Sequence, residues 1–279
     1  MKDDYYEITD VKEKQKILLF LFKSLHEICE ENAIVYNAFG GTMLGAVRHK
    51  GFIPWDDDID ITMPRKDYCK FIDIVKEYYN DLFIIHCYPD ENYIYPYAKF
   101  GLAGSIQCEN AVKIPYNRLT ISIDVFPVDG YPPDECDIDV YNRYEENIIL
   151  CTYKHNLAKF IVHPRMLLKY IVSRFHGYKY YLSKQINLFS KNDIDSSDYV
   201  ICQGAGWGRK GKLKKSIYYD RTLYEFEGIK VWGIKDYDAH LRMLYGDYLS
   251  LPPKEKQVSP HDDFVYILKE LCNIVDDKL

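Results

Sequence analysis

Apolar positions recur at helical spacing through residues 11–31, where Leu18, Leu21, Phe22, Leu25 and Ile28 share one side and Lys and Glu take the other. That periodicity predicts an amphipathic helix. Residues 34–39 form a short β-prone run that stops at Gly40-Gly41, after which Thr42 caps a short helix through Met43, Leu44, Ala46 and Val47. Gly51 and Pro54 end it, and residues 58–63 read as a second strand. Pro64 opens the next helix from its first turn, over RKDYCKFIDIVKEYY. Residues 82–88, 93–100, 105–108 and 120–126 supply four more strands. From about Pro132 the pattern changes. Residues 137–191 are helical in spacing, with interruptions at His163-Pro164 and near Gly177. A Gly-rich turn at 204–211 precedes short strands around Leu223 and Val231, and a helix over 236–245 stops at Gly246. LPPKEK is a loop, and a last helix starts near Phe264. The pattern describes an α/β half over 1–131 and a mainly helical half over 132–279 that closes one cleft.

Composition narrows the classes of function. The 279 residues suffice for a sizeable core. The net charge is −6 and the cations are dispersed, which argues against a nucleic-acid-binding protein. A nucleotide substrate stays open, because a metal and a few local cations suffice for it. Eight scattered cysteines without a CxxC pair exclude a paired-cysteine zinc site and a disulfide scaffold, and suit reduced thiols in a cytoplasmic protein. The apolar run at 17–22 is shorter than a signal h-region or a membrane span, so neither is expected. Tyrosine is abundant, at 27 residues, which by itself decides nothing.

The chemistry concentrates in residues 40–60, GGTMLGAVRHKGFIPWDDDID. Four carboxylates this close repel one another, and a divalent cation between them is the natural remedy, since hard cations prefer carboxylate oxygen and leave positions for phosphate. If the strand reaches back to Asp56, alternation puts Asp56, Asp58 and Asp60 on one face and turns Asp57 toward solvent. An Asp-x-Asp pair can share metal ions, and a third carboxylate from a neighbouring strand commonly completes the site. Asp124 in ISIDVFPVD fits, because Ile121, Ile123 and Val125 form the apolar face opposite it. Gly40, Gly41 and Thr42 offer close backbone approach and a helix N-terminus to phosphate. Arg48 can grip phosphate in bidentate fashion and Lys50 adds a point charge, while His49 serves either packing or substrate contact.

The run GGTMLGAVRHKGFIPWDDDIDITMPRKDY, followed by YAKF, IDVFPVDG and LYGDYLSLPP, resembles the LicD family. The likeness covers about residues 20–262, and its first motif is long and specific. It implies an α+β, nucleotidyltransferase-like fold and a phosphotransferase that moves phosphocholine from CDP-choline to sugars of teichoic acids or lipopolysaccharide with Mg2+ (or Mn2+). Relatives such as the fukutin group transfer other phosphoalcohols. By this resemblance Asp58, Asp60 and Asp124 are the metal-binding and catalytic acids, with Asp56 assisting. Gly40, Gly41, Thr42, Arg48, Lys50 and Lys99 hold nucleotide and phosphate, and His49 and His261 stand behind them. The implied partners are a CDP-activated donor and a glycan or lipid-linked saccharide acceptor, met in the cytoplasm or at the inner membrane face. A choline cargo calls for an aromatic cage, for which Tyr93, Tyr95 and Tyr97 alternate along one strand face, with Trp207 and Trp232 as further members. The chain departs from the family pattern at Gly101, Leu102 and Ser105, at Gln257 and Pro260, and at Arg209-Lys210-Gly211. These bear on donor and acceptor contacts rather than on the acids. Three rivals remain: a DxD glycosyltransferase, a nucleotidylyltransferase that releases pyrophosphate, and an inactive nucleotide-binding module.

Overall fold

A computed structural model describes residues 4–279 apart from 117, 156–163, 203, 260 and 262. The expected interruption at His163 and the departure at Pro260 lie outside the described residues. The chain runs β1 (Tyr5–Ile8), α1 (Val11–Glu31), β2 (Asn37–Ala38), α2 (Gly40–Arg48), β3 (Asp60–Pro64), α3 (Arg65–Tyr78), β4 (Phe83–His86), β5 (Ala98–Leu102), β6 (Ser105–Glu109), β7 (Arg118–Leu119) and β8 (Ser122–Gly130). There follow α4 (Cys136–Thr152), α5 (Pro164–His176), α6 (Tyr178–Ser190), β9 (Tyr199–Ile201), β10 (Leu213–Lys214), α7 (Lys215–Tyr219), β11 (Arg221–Phe226), β12 (Ile229–Ile234), α8 (Tyr237–Tyr245), β13 (Asp263–Leu268) and α9 (Lys269–Lys278). The fold is α+β.

A mixed sheet in the order β10-β9-β8-β3-β2 forms the frame, with β5 joined to β8 and β4 to β5. Its central strands β3 and β8 run parallel. Both are buried along nearly their whole length, the near-continuous apolar pattern that a parallel pair covered on both faces requires. Helix α1 starts where the Asp10 carboxylate accepts the Lys12 N–H. It buries Leu18, Leu21, Phe22 and Leu25 in a core shared with Ile61, Met63, Phe100 and Val125. Arg65, the first residue of α3, clasps Asp129 near the end of β8 with two guanidinium N–H groups.

Several elements are shorter than the pattern predicts. The run at 34–39 leaves only Asn37–Ala38 in a strand, and the second strand begins at Asp60, so residues 56–59 are loop and strand alternation does not order them. Likewise Tyr93, Tyr95 and Tyr97 precede β5. The last helix starts five residues late, because β13 comes first. Its alternating DFVYIL is paired on one side with β1 and on the other with β6. The stretch beyond 131 therefore supplies strands to both main sheets, β9 and β10 to one and β13 to the other.

Candidate functional site

The parallel register of β3 and β8 sets Asp60 opposite Asp124, and the antiparallel register of β5 sets Lys99 on the other side of Asp124. Three neighbouring strands thus present acid, acid and base in a row. The Lys99 ammonium donates to Asp124 Oδ1 at 2.7 Å. Burial pulls the Lys99 pKa down, but the Asp124 carboxylate outweighs it and holds the amine charged. The same ammonium lies 5.0 Å from the Tyr95 ring centre and 5.6 Å from that of Tyr97. Two of the three tyrosines expected to cage a substrate cation already face a cation of the protein itself. Tyr93 is buried and donates to the Tyr97 carbonyl at 2.8 Å.

The loop carrying Asp56, Asp57 and Asp58 is fastened from α1. Gln15 Nε2 donates to the Asp56 carbonyl at 2.7 Å and to that of Ile53 at 3.3 Å. Asp57, expected to face solvent, is 6% exposed. Its carboxylate accepts from Lys14 Nζ at 2.8 Å and lies 2.8 Å from His261 Nδ1. Burial pushes Asp57 up, yet the hydrogen bond from His261 and the Lys14 charge overcome it and leave the pKa about 2. His261 in turn is raised to about 8, mainly by its hydrogen bond to Asp57, and its other ring nitrogen is 3.8 Å from Asp58 Oδ2. The acid that alternation dismissed is the anchor of the loop. Lys14 gave no motif signal, because a lysine on a helix reads as surface.

Helix α2 brings its first turn against these acids. A Cβ built on Gly41 would sit 2.8 Å from Asp56 Oδ2, and one on Gly40, whose φ is +53°, would sit 3.3 Å from Asp60 Oδ2. The two glycines are therefore a close approach of backbone to carboxylate. The first helical bond runs from the Met43 N–H to the Phe39 carbonyl, which leaves the Gly40, Gly41 and Thr42 N–H groups without an intrahelical acceptor. Thr42 is not the cap: Phe39 occupies that position, and the Thr42 hydroxyl accepts the Asp60 N–H at 2.8 Å, pinning α2 to β3.

Electrostatics bind the four acids into one cluster. Burial, then the charges of Asp58 and Asp57, raise Asp56 to about 7. Burial is also the main cause of the upward shift of Asp58 and of the larger one of Asp60, with Asp124 adding repulsion to both. Tyr245, from the last turn of α8, belongs to the same cluster although the pattern did not single it out. Its hydroxyl would lie 3.5 Å from a Cβ on Gly40. Burial, then Asp60 and Asp56, hold its proton on. Trp207 meets Tyr245 edge-on, with ring centres 5.2 Å apart.

The cations at the other end of α2 divide. Arg48 Nη1 donates to the Tyr248 carbonyl at 2.8 Å, and its charge reaches Tyr245. Lys50 turns away: at φ +58° it leads out of the helix, its side chain is 72% exposed, and its ammonium is 3.8 Å from Glu225 of β11. The structure thus takes Lys50 out of the expected phosphate set. His49 lies at the C-terminal cap, its pKa lowered by burial and by Arg48. Trp232 is committed elsewhere, donating to Glu30 with its other face under Arg221.

The donor set is all carboxylate oxygen, in excess of the local positive charge, which suits a hard divalent cation. Among the described residues no three Asp, Glu, His or Cys side chains already converge as a finished cage. The fit rests on the chemistry of the donors and on the repulsion a cation would relieve. Asp58, Asp60 and Asp124 would hold it, with Asp56 beside them.

Residues 33–99 match the family model described as LicD/FKTN/FKRP, nucleotidyltransferase domain. A lipopolysaccharide cholinephosphotransferase LicD of Haemophilus influenzae is 31% identical over 273 residues, 92% of this chain and 98% of that protein. An uncharacterized protein of Rickettsia typhi is 42% identical over 69 residues, 24% of this chain and 22% of its own. One of Rickettsia prowazekii is 40% identical over 68 residues, 24% of this chain and 26% of its own. With a relative aligned along almost its whole length, and with the family's glycines and acids gathered at one place, the chain belongs to the LicD family.

Proposed function

We propose that this protein is a divalent-metal-dependent phosphotransferase that moves a phosphoalcohol group, phosphocholine first among them, from a CDP-activated donor to a glycan or its precursor. The observation that carries the reading is the register of Asp60 against Asp124, backed by the Gly40-Gly41 helix start. A divalent cation held by Asp58, Asp60 and Asp124, Mg2+ or Mn2+, would supply neutralisation of phosphate charge. The N–H groups of the first turn of α2, which have no intrahelical acceptor, bind phosphate oxygens. Lys99 orients Asp124 through its 2.7 Å hydrogen bond, and Arg48 adds positive charge within reach of Tyr245. An acceptor hydroxyl attacks the distal phosphorus in line. The bond to the CMP oxygen breaks, CMP leaves with the electron pair, and the hydroxyl proton passes to a carboxylate of the cluster. Positioning and charge stabilisation supply most of the rate in such transfers.

Tyr245 sits against the Gly40 turn with Trp207 packed on it, and among the described residues neither ring has a contact with Lys99, so they are the better wall for a quaternary ammonium. The H. influenzae relative, named for cholinephosphotransfer to lipopolysaccharide, supports the choice of cargo and acceptor. The test is CMP release from CDP-choline with Mg2+ and a saccharide acceptor, followed by analysis of the new bond. Asp60→Asn and Asp124→Asn should each lower turnover by about two to three orders of magnitude; Asp60→Asn should keep the wild-type Tm, whereas Asp124→Asn, which strands the buried Lys99 charge, should lower it. Full activity in either variant, or a new glycoside with a nucleoside diphosphate as the other product, would sink the reading.

A further inference from the structure

Away from the acids, one stretch has a charge pattern unlike the rest of the chain. In a protein of net charge −6, residues 147–192 contain no Asp or Glu and eight Lys or Arg. Helix α5 lies within it. Of residues 165–176 only Ser173 is buried, although the helix reads RMLLKYIVSRFH. It is moored to α4 on one side, where the Cys151 thiol donates to the Ser173 carbonyl at 3.3 Å and Lys169 meets Glu146. The opposite side carries Leu167, Leu168, Ile171, Val172 and Phe175. Leu168 is 63% exposed and Phe175 88% exposed. At about 100° per residue these five cover an arc of about 140°. Arg174 lies at one border of the arc, with Arg165, His176 and Lys169 at the other.

A contiguous apolar face of this kind is rarely left to water unless something covers it. The rim says what. Arg165, Arg174 and Lys179 have no carboxylate partner among the described residues. A second copy of the chain placed face to face would set these cations against their own kind. A surface of phosphate headgroups over hydrocarbon satisfies rim and face together. The helix has 13 residues, about 20 Å at 1.5 Å per residue, well short of the ~30 Å hydrocarbon core. No helix among the described residues is long and apolar enough to cross a membrane.

We infer that α5 is an interfacial anchor, lying in the plane of an anionic phospholipid bilayer. Its Leu167–Phe175 face enters the acyl boundary and its flanking cations meet lipid phosphates. Tyr180 of α6, exposed beside Lys179 and Lys184, extends the contact at headgroup depth. This anchoring needs no substrate, so it stands or falls apart from the transfer activity.

Vesicle flotation of the full chain provides the test. Vesicles of phosphatidylcholine with phosphatidylglycerol should bind it about tenfold or more better than phosphatidylcholine alone, and salt should weaken the binding. Leu168→Glu with Phe175→Glu should lower partitioning about tenfold or more at unchanged Tm. Arg165→Glu with Lys179→Glu should remove the preference for the anionic lipid, and serves as the check if the apolar variant misfolds. Equal partitioning of wild type and variants would overturn the inference. So would an apolar variant that converts a dimer to a monomer in light scattering with no change in flotation, which would assign the face to a second copy.

Discussion

Lys14 and Asp57 form a buried ion pair whose worth lies in what depends on it. Each side chain is 8% exposed, and the pair sits one residue from Asp56 and Asp58. Removing one partner of such a pair strands the other's charge in a poor dielectric, which costs about 3–5 kcal/mol. Lys14→Met should therefore lower stability by about 3 kcal/mol, read as a drop in the urea midpoint at constant slope. It should also weaken Mg2+ binding, because the loop that carries two proposed ligands loses its fixed end. A Lys14→Met protein with the wild-type midpoint would show that His261 alone holds Asp57. Asp60 works in the opposite sense. It is partly buried among like charges, and burial and those charges raise its pKa well above the usual carboxylate range, so it is tolerated rather than stabilising, and its amide should fold at least as well as the acid.

At the scale of elements, α2 is the piece whose position matters most, and Gly45 sets it. A Cβ there would fall 2.4 Å from the Gly51 carbonyl oxygen, backbone against backbone, with no flexible side chain to give way. Gly45→Ala should cost about 1–3 kcal/mol by overpacking and push the Gly40-Gly41 turn off the acids. Loss of turnover larger than the loss of stability, measured by CMP release and by thermal unfolding, is the expected signature. Helices were the most legible elements: α1, α3 and α8 follow the apolar spacing, and Gly177 and Gly246 mark helix boundaries as expected. Strands were less so. Sheet pairing truncated the runs at 34–39 and 93–100, and β1 and β13 depend on each other across the chain. The acids and glycines were legible as a group because repulsion and close approach leave marks in residue type. Their partners were not. Lys14, Gln15 and Tyr245 reach the site through helix packing, and nothing in an amphipathic period distinguishes them from neighbours that face solvent.

Across the whole molecule the acid limit of stability has an identifiable contributor. His240 of α8 is fully buried against Phe39, with ring centres 5.2 Å apart and neither ring nitrogen hydrogen-bonded among the described residues. Desolvation lowers its pKa to about 4. The unfolded chain, with an ordinary histidine pKa of about 6.5, binds more protons between those values, so stability falls as pH drops through that window. The loss at pH 4 is about 3 kcal/mol. Melting curves from pH 7 to 4 should show it, and His240→Leu should flatten them by that amount; an unchanged slope would exonerate His240. The same view gives the C-terminal strand a consequence in time. His261 stands two residues before β13 in the sequence and meets Asp57 across 204 residues, whereas Lys14 meets it across 43. On the ribosome, Asp57 emerges with its lysine already made and its histidine far from synthesis. The nascent chain can lay down the acidic loop early, but the loop acquires its second clasp only after 204 further residues have been made.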